Sequence, residues 1–112
     1  MLTELLVRNH TPDDIRTRVY ERVGAPVMWD ASDYREAMAD LGFSLQAEED
    51  WSRNVARTYG WVRTQLEERR AEFERKIGKD VVDRTSLALQ FWVDQGDAGY
   101  IGWHAFVADK PL

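Results

Sequence analysis

The sequence predicts an α/β fold, in which a three-stranded mixed sheet is covered by about four helices. Apolar side chains occupy both sides of a period-two repeat in residues 99–112, and a strand with this pattern is buried on both faces. An interior strand needs a neighbour at each edge, and residues 2–7 and 43–49 also have strand character. The segments between these strands carry apolar residues at helical spacing. We therefore expect the C-terminal strand to be the centre of one small sheet.

Composition predicts one globular domain over residues 1–112. The chain has 112 residues, 44% of them apolar and 12% aromatic, which is enough for a core of ordinary composition. Its net charge of −5 argues against nucleic acid as a partner, because phosphate backbones are bound through an excess of Lys and Arg. Since no long apolar run and no secretory signal pattern occur, we expect no membrane association and a soluble, cytoplasmic protein.

No metal site is predicted. The sequence contains no cysteine, which excludes disulfides and thiolate ligands. Its two histidines, His10 and His104, are far apart in the sequence and do not form a ligand cluster. His104 lies within the apolar final strand, where we expect a core histidine that is hydrogen-bonded to backbone groups.

The first strand, residues 2–7, is apolar on both faces and follows Met1 directly. Such a strand resembles the centre of a sheet, so the start of the chain looks like a cut through a larger one. Its outer edge is expected to present unpaired N–H and C=O groups beside apolar surface. Pairing between two copies would cover both, which predicts a homodimer or a higher oligomer.

A first helix is predicted for residues 12–23, with Thr11 as its N-cap and Gly24 at its C-terminal end. Residues 25–31 have neither a helical nor a strand period, yet they include Met28 and Trp29. Large apolar side chains on an irregular connection need a surface to cover or a group that covers them.

A short helix is predicted for residues 32–41, and the strand that follows, residues 43–49, has the half-exposed pattern of an edge strand. Asp50 or Ser52 is then expected to cap a long helix, residues 53–77.

Gly60 lies inside this long helix and marks the expected position of any bend. The last helix is predicted from about Asp80 to the GDAG turn. Four tryptophans fall where helices pack on the sheet, and we expect them in the core: Trp51, Trp61, Trp92 and Trp103.

Four motifs then occur together and in one order. LGF opens the second strand, EDWS leads into the long helix, LQFWVDQGDAGYIGW joins the last helix to the last strand, and FVADKP ends it. This order resembles the C-terminal half of class I S-adenosylmethionine-dependent methyltransferases. Within that superfamily the chain is most similar to sarcosine and dimethylglycine N-methyltransferases, phosphoethanolamine N-methyltransferases and related natural-product O-methyltransferases. The resemblance runs from about Leu2 to the end.

The resemblance implies a Rossmann-like sheet of seven strands. In it residues 2–7 correspond to the fifth strand, residues 43–49 to the sixth, and residues 100–108 to an antiparallel seventh strand inserted between them. Residues 9–31 and the long helix would form a lid over the methyl acceptor. The chain would then be the acceptor-side half of a methyltransferase fold.

Relatives in this superfamily hold the cofactor with a Gly-rich loop after their first strand and an acidic residue after their second. Neither feature occurs in this chain, whose seven glycines are dispersed. We therefore expect S-adenosylmethionine to serve the full-length family but not to bind this chain alone. The resemblance implies a partner, namely the missing cofactor-binding half, either in a parent polypeptide or in a second chain.

Two residues are candidates for catalysis. Glu4 lies in the strand where relatives carry an acidic residue, and a carboxylate there could remove the proton that the acceptor must lose. His10 follows the same strand and could serve as a base or as a hydrogen-bond donor. The alternative for Glu4 is an exposed acid at a strand end, and for His10 a surface histidine beside a helix cap.

The resemblance also implies four candidate residues for acceptor binding: Tyr20, Met28, Trp29 and Tyr59. Trp29 is the most distinctive, because an aromatic face in a lid could enclose an ammonium group or stack on a flat apolar acceptor. The chain would contribute the lid and the pocket for a small-molecule acceptor. The alternative function is a non-catalytic module that binds a small ligand or dimerises. Amine, hydroxyl and carbon acceptors all remain open.

Overall fold

The final strand lies at the centre of the sheet. A computed structural model describes residues 1–110 of the chain. Strands β1 (Leu2–Val7) and β2 (Ser44–Asp50) flank β3 (Ile101–Asp109), in the order β1-β3-β2. Both outer strands pair antiparallel with β3 and therefore run parallel to each other. The expected interior position of the C-terminal strand is confirmed, while residues 111–112 of the predicted strand and its closing motif lie outside the described residues.

Five helices occur within residues 1–110, one more than the sequence predicted, and the α/β class is confirmed. They are α1 (Asp13–Val23), α2 (Ala31–Asp40), α3 (Arg53–Glu68), α4 (Arg70–Ile77) and α5 (Lys79–Asp97). The additional helix arises because the predicted long helix is interrupted at Arg69, where φ is −110° and ψ is 22°. Gly60 continues α3 without a break, so a break expected at Gly60 is found at Arg69 instead.

The Arg- and Glu-rich run around this break joins three helices. Arg70 of α4 places its Nη1 2.7 Å from Oδ1 of Asp83 on α5 and its Nη2 2.9 Å from Oε1 of Glu67 on α3. Ser86 of α5 also donates a hydrogen bond to Glu67. The hydrogen bonds from Arg70 and Ser86 lower the pKa of Glu67 to about 2. These charges therefore hold α4 against the α3–α5 pair.

The alternation of β3 creates one apolar core on each face of the sheet. On one face Leu6 and Phe106 pack with Ala31 of α2. On the other face the core is drawn from two strands and three helices, and its buried members are Val7, Val19, Val55, Phe91 and Ile101. The sheet is thus covered by α2 on one side and by α1, α3 and α5 on the other.

The N-terminal cap of α1 differs from the one expected, whereas its C-terminal end agrees with expectation. Thr11 is buried and donates its hydroxyl hydrogen bond to the carbonyl of Tyr100 at 3.2 Å, so it does not cap α1, which follows Pro12. A capping box is found instead at α2, between Asp30 and Asp33. Gly24 ends α1 with a φ of 69°, a left-handed conformation that glycine adopts without strain.

Trp61 corrects the expectation that four tryptophans lie in the core. It is 65% exposed, because α3 turns its Val55 and Leu66 side inward and Trp61 lies on another side of the helix. Trp51, Trp92 and Trp103 are partly buried.

The two aromatic residues Phe106 and Trp61 give a matched test of this core. We expect Phe106→Ala to lower the free energy of unfolding by about 3–5 kcal/mol, because it leaves a cavity beneath α2. Trp61→Ala should change it by less than about 1 kcal/mol, because the side chain is exposed. Urea unfolding followed by circular dichroism measures both. Equal losses in the two variants would contradict the assignment of the core.

Candidate functional site

A cleft of about 520 Å³ lies beside the outer edge of β1. It is bounded by the segment of residues 9–30 that runs from β1 to α2, which we call the β1–α2 connection. The residues that line it include Glu4, Leu5, Val27, Met28, Trp29 and Tyr34. The lining is apolar and aromatic apart from the carboxylate of Glu4 and the hydroxyl of Tyr34.

The β1–α2 connection is held against the strand by main-chain contacts. The carbonyl of Trp29 accepts a hydrogen bond from the backbone N–H of Val7 at 3.2 Å. The carbonyl of the preceding residue, Met28, accepts one from the hydroxyl of Tyr20 at 3.4 Å. The backbone is therefore fixed at the point where Met28 and Trp29 border the cleft.

Two aromatic rings meet at the cleft. The ring of Trp29 stands edge-on to that of Tyr34, with centroids 5.1 Å apart and planes at 72°, a geometry that favours aromatic pairs. Tyr34 in turn lies 5.8 Å from the ring of Phe106 in the core. Trp29 is 42% exposed, so part of its side chain is accessible to a ligand.

Glu4 contributes the negative charge of the cleft. It is partly buried and lies opposite His104 in the pairing of β1 with β3. Burial, and then the charge of Glu4, raise the pKa of Tyr34, so its hydroxyl stays protonated and can donate a hydrogen bond. A carboxylate beside two aromatic rings and a methionine suits a small organic cation or a flat apolar molecule.

The structure brings three of the six candidate site residues together in this cleft, namely Glu4, Met28 and Trp29. Tyr20 packs against the larger core. Tyr59 borders a separate cleft of about 270 Å³, where it stacks on Trp92 with centroids 5.7 Å apart. His10 is exposed and its ring lies 5.9 Å from that of Tyr100.

A second polar group of residues surrounds Arg8, directly after β1. Its guanidinium lies over Gly102 of β3, where a Cβ atom would come within 2.8 Å of Arg8 Cζ. Nη2 donates a hydrogen bond to Oγ of Ser52 at 2.8 Å, and Nη1 donates one to Nε2 of His104 at 3.1 Å. Ser52 also accepts from the backbone N–H of Trp103 at 3.0 Å. It stands at the N-cap position of α3, as one of the two expected candidates, but its side chain makes no capping hydrogen bond.

His104 has side-chain partners rather than the expected backbone partners. Because arginine only donates, Nε2 accepts from Arg8 and the ring proton is on Nδ1, which donates to Oε2 of Glu48 at 2.8 Å. Two carboxylates, those of Asp30 and Asp50, lie near the guanidinium of Arg8. Asp30 Oδ1 lies 3.5 Å from Nη1, and Asp50 Oδ2 lies 3.5 Å from Nη2.

The pKa of Asp30 lies below its usual value. Partial burial on its own would raise this pKa. Hydrogen bonds from the backbone N–H groups of Asn9 and Ala31, together with the charge of Arg8, outweigh that effect and lower it. Asp30 is therefore held as a carboxylate by contacts at both ends of the β1–α2 connection.

The carboxyls of β2 are affected in the same direction. The pKa of Glu48 is lowered, because hydrogen bonds from Arg35 and His104 outweigh the effect of burial. The pKa of Asp50 is also lowered, because hydrogen bonds from Ser52 outweigh burial there. Both carboxyls are therefore ionised in the folded protein at neutral pH.

Sequence analysis did not identify Arg8, Asp30 or Tyr34 as site residues. Gly102 offered one signal, since a glycine inside a strand often marks the close approach of another group. Within residues 1–110, no group of three or more His, Asp or Glu side chains is placed to hold a metal ion, and none of the described helices could span a membrane.

Several known proteins are similar to this chain in sequence or in fold. No protein-family model matches the chain. It is 27% identical over 110 residues to the sarcosine/dimethylglycine N-methyltransferase of Halorhodospira halochloris, covering 98% of this chain and 39% of the relative. It is 28% identical over 93 residues to the dimethylglycine N-methyltransferase of Parasynechococcus marenigrum, covering 83% of this chain and 33% of that relative.

The chain is similar in sequence to part of these larger N-methyltransferases. The fold agrees: phosphoethanolamine N-methyltransferase 2 of Haemonchus contortus, solved with phosphomonomethylethanolamine and S-adenosylhomocysteine, matches with a TM-score of 0.84 at 15% identity. That match covers 98% of this chain and 25% of the other. The predicted resemblance and the Rossmann-like fold are confirmed, and the chain spans about two fifths or less of the relatives that it matches.

The lowered carboxyl pKa values predict how stability depends on pH. Because the folded state binds these protons more weakly than the unfolded chain, the stabilisation is present in full above the ordinary pKa of about 4. It is lost as the pH falls through the lower folded-state values. We expect the free energy of unfolding to decrease from pH 6 towards acid, and Glu48→Gln to make this decrease shallower. Urea unfolding at a series of pH values measures it.

Glu36→Gln is the matched control for this experiment, because it removes an exposed carboxylate of α2. An identical pH slope in the wild type and in Glu48→Gln would show that the contacts of Glu48 with Arg35 and His104 do not stabilise the fold.

Proposed function

We propose that this chain is the acceptor-side part of an S-adenosylmethionine-dependent methyltransferase, in which the β1–α2 connection is a lid over the pocket for a small acceptor. The observation that carries the proposal is the cleft beside β1, where Glu4, Trp29 and Tyr34 converge. The sequence similarity to N-methyltransferases supports it. The activity and the substrate class belong to the proposal.

The chemistry of the cleft favours an amine as the acceptor. A methylated ammonium group carries a diffuse positive charge that the ring faces of Trp29 and Tyr34 attract. The carboxylate of Glu4 would attract the same cation and accept the proton that the nitrogen must lose before it can attack an electrophilic methyl group. The chain would thus orient the acceptor and keep water away from it. The relatives named for sarcosine and dimethylglycine act on amines of this kind.

The described residues do not fit S-adenosylmethionine. Three strands and five helices contain no Gly-rich turn between a strand and a helix, which a nucleotide cofactor of this kind requires. We propose that another part of the protein, in the same polypeptide or in a second chain, binds the cofactor.

The outer edge of β1 is where such a part would pair. The N–H of Arg8 bonds to Tyr100, whereas that of Val7 points the other way, to Trp29. By the alternation of antiparallel strands, the N–H and C=O groups of Thr3 and Leu5 point outward as well. The Trp29 carbonyl therefore covers one end of this edge, and the end near Thr3 remains open to a further strand.

A second candidate function is dimerisation through the same edge. Leu2 is 39% exposed, and a cleft of about 340 Å³ lies beside it, bordered by Met38, Phe43 and Phe106. Two copies that pair along β1 would satisfy the outward groups of Thr3 and Leu5 and bury this apolar surface. In this alternative the chain would be a homodimer that binds a small ligand without catalysis.

A chimera tests the catalytic proposal. The C-terminal part of the Halorhodospira relative is replaced by this chain, and transfer of labelled methyl from S-adenosylmethionine to dimethylglycine is measured. We expect transfer by the chimera and no heat when the cofactor is titrated into this chain alone. Trp29→Ala in the chimera should lower kcat/KM by roughly 2- to 30-fold, because a cation–π contact in a partly desolvated site contributes about 0.5–2 kcal/mol.

Trp61→Ala in the same chimera is the control, because it removes an exposed tryptophan that does not line the cleft. If the chimera folds but Trp29→Ala and Trp61→Ala leave the same activity, the acceptor does not contact Trp29. Micromolar binding of the cofactor to this chain alone would refute the division into two halves.

Light scattering over a dilution series tests assembly. We expect a dimer at tens of micromolar, and we expect Thr3→Pro to shift it to monomer, because proline removes an outward N–H from the open end of the edge. Thr3→Val is the control, since it keeps the N–H. A monodisperse monomer for the wild type would show that this edge is not used between copies.

A further inference from the structure

We propose that Asp30 and Arg8 form a clasp that holds the two ends of the β1–α2 connection together and fixes Trp29 over the cleft. Both are positioning residues, since neither lines the cleft itself. This inference rests on the proposed function only where it treats the connection as a lid. The contacts that make the clasp belong to this chain alone.

The carboxylate of Asp30 bonds to both ends of the connection. Oδ2 accepts a hydrogen bond from the backbone N–H of Asn9 at 2.9 Å, 21 residues earlier in the sequence. Oδ1 accepts from the backbone N–H of Ala31, where α2 begins. One side chain therefore closes the loop, and charge-assisted bonds of this type are stronger than neutral ones.

Arg8 fastens the carboxylate to the sheet. Its Nη1 lies 3.5 Å from Asp30 Oδ1 and also donates to His104 of β3, while its Nη2 donates to Ser52 at the start of α3. The guanidinium can lie this close to β3 only because residue 102 has no side chain. The missing side chain at Gly102 thus leaves the space in which Arg8 lies beside Asp30.

The clasp sets the position of Trp29 through the chain. Trp29 directly precedes Asp30, and its carbonyl accepts the hydrogen bond from the N–H of Val7. If Asp30 is released from Asn9 and Arg8, the end of the connection is free to leave β1, and the Val7 N–H loses its partner. The exchange rate of the Val7 amide with solvent deuterium therefore reports on the clasp, although its hydrogen bond is to Trp29 and not to Asp30.

The test compares amide exchange by NMR in the wild type, Asp30→Asn and Asp33→Asn. Asp33 is the matched control, because it accepts the backbone N–H of Asp30 in the capping box of α2 but does not bond to Asn9 or Arg8. We expect the Val7 amide to exchange at least about tenfold faster in Asp30→Asn and at the wild-type rate in Asp33→Asn. Amides of Phe91 and Phe106 in the cores should be unchanged in both variants.

A second variant, Gly102→Ala, would place a Cβ atom 2.8 Å from the Arg8 guanidinium and 2.9 Å from Ser52 Oγ, and it changes neither Asn9 nor Asp30. It should accelerate exchange at Val7 in the same way, and it decides the matter if Asp30→Asn proves too unstable to measure. Equal acceleration in Asp30→Asn and Asp33→Asn would show that Asp30 acts only as the N-cap of α2, and this result would overturn the proposal. So would an unchanged Val7 amide in Gly102→Ala. No cofactor or acceptor is present, so failure here leaves the proposed methyl transfer untouched.

Discussion

Burial of β3 on both faces is the constraint on which the rest of the structure depends. A strand that is buried on both faces must have its backbone groups paired at both edges, so β1 and β2 pair with its opposite edges. Its alternating side chains then require cover on both sides. Ile101 faces the layer of α1, α3 and α5, whereas Phe106 faces α2. The two cores and the crossing of the chain from one face to the other follow from this one strand.

Polar groups on β3 add a second constraint. Gly102 and His104 share a face with Phe106, so the core beneath α2 gives way to a charged cluster at one end of the sheet. Charges removed from water are retained in proteins when they are paired and hydrogen-bonded. Arg8 lies between Asp30 and Asp50 in this way. The cluster thereby joins the ends of β1 and β2 to the β1–α2 connection, beside the cleft of the proposed acceptor.

The candidate site could be predicted only in part. Met28 and Trp29 stood out because large apolar side chains on an irregular connection require an explanation, and both border the cleft with Glu4. Tyr59 was also a candidate that the resemblance implied, but it lies in another cleft. Its position depends on how α3 is rotated against the sheet. Tyr34 gave no separate signal, since an aromatic residue on an amphipathic helix is usual in a core.

The sequence by itself determined most of the elements and the central position of β3, because period-two and helical spacing report local geometry and the burial of each face. It also determined the resemblance to N-methyltransferases, since the motifs occur in order along the chain. Only the tertiary structure decided that the long helix breaks at Arg69, that Trp61 faces solvent, and that Arg8, Asp30 and His104 meet. Those outcomes depend on contacts between residues far apart in sequence, and no local pattern records which distant side chain satisfies a buried charge.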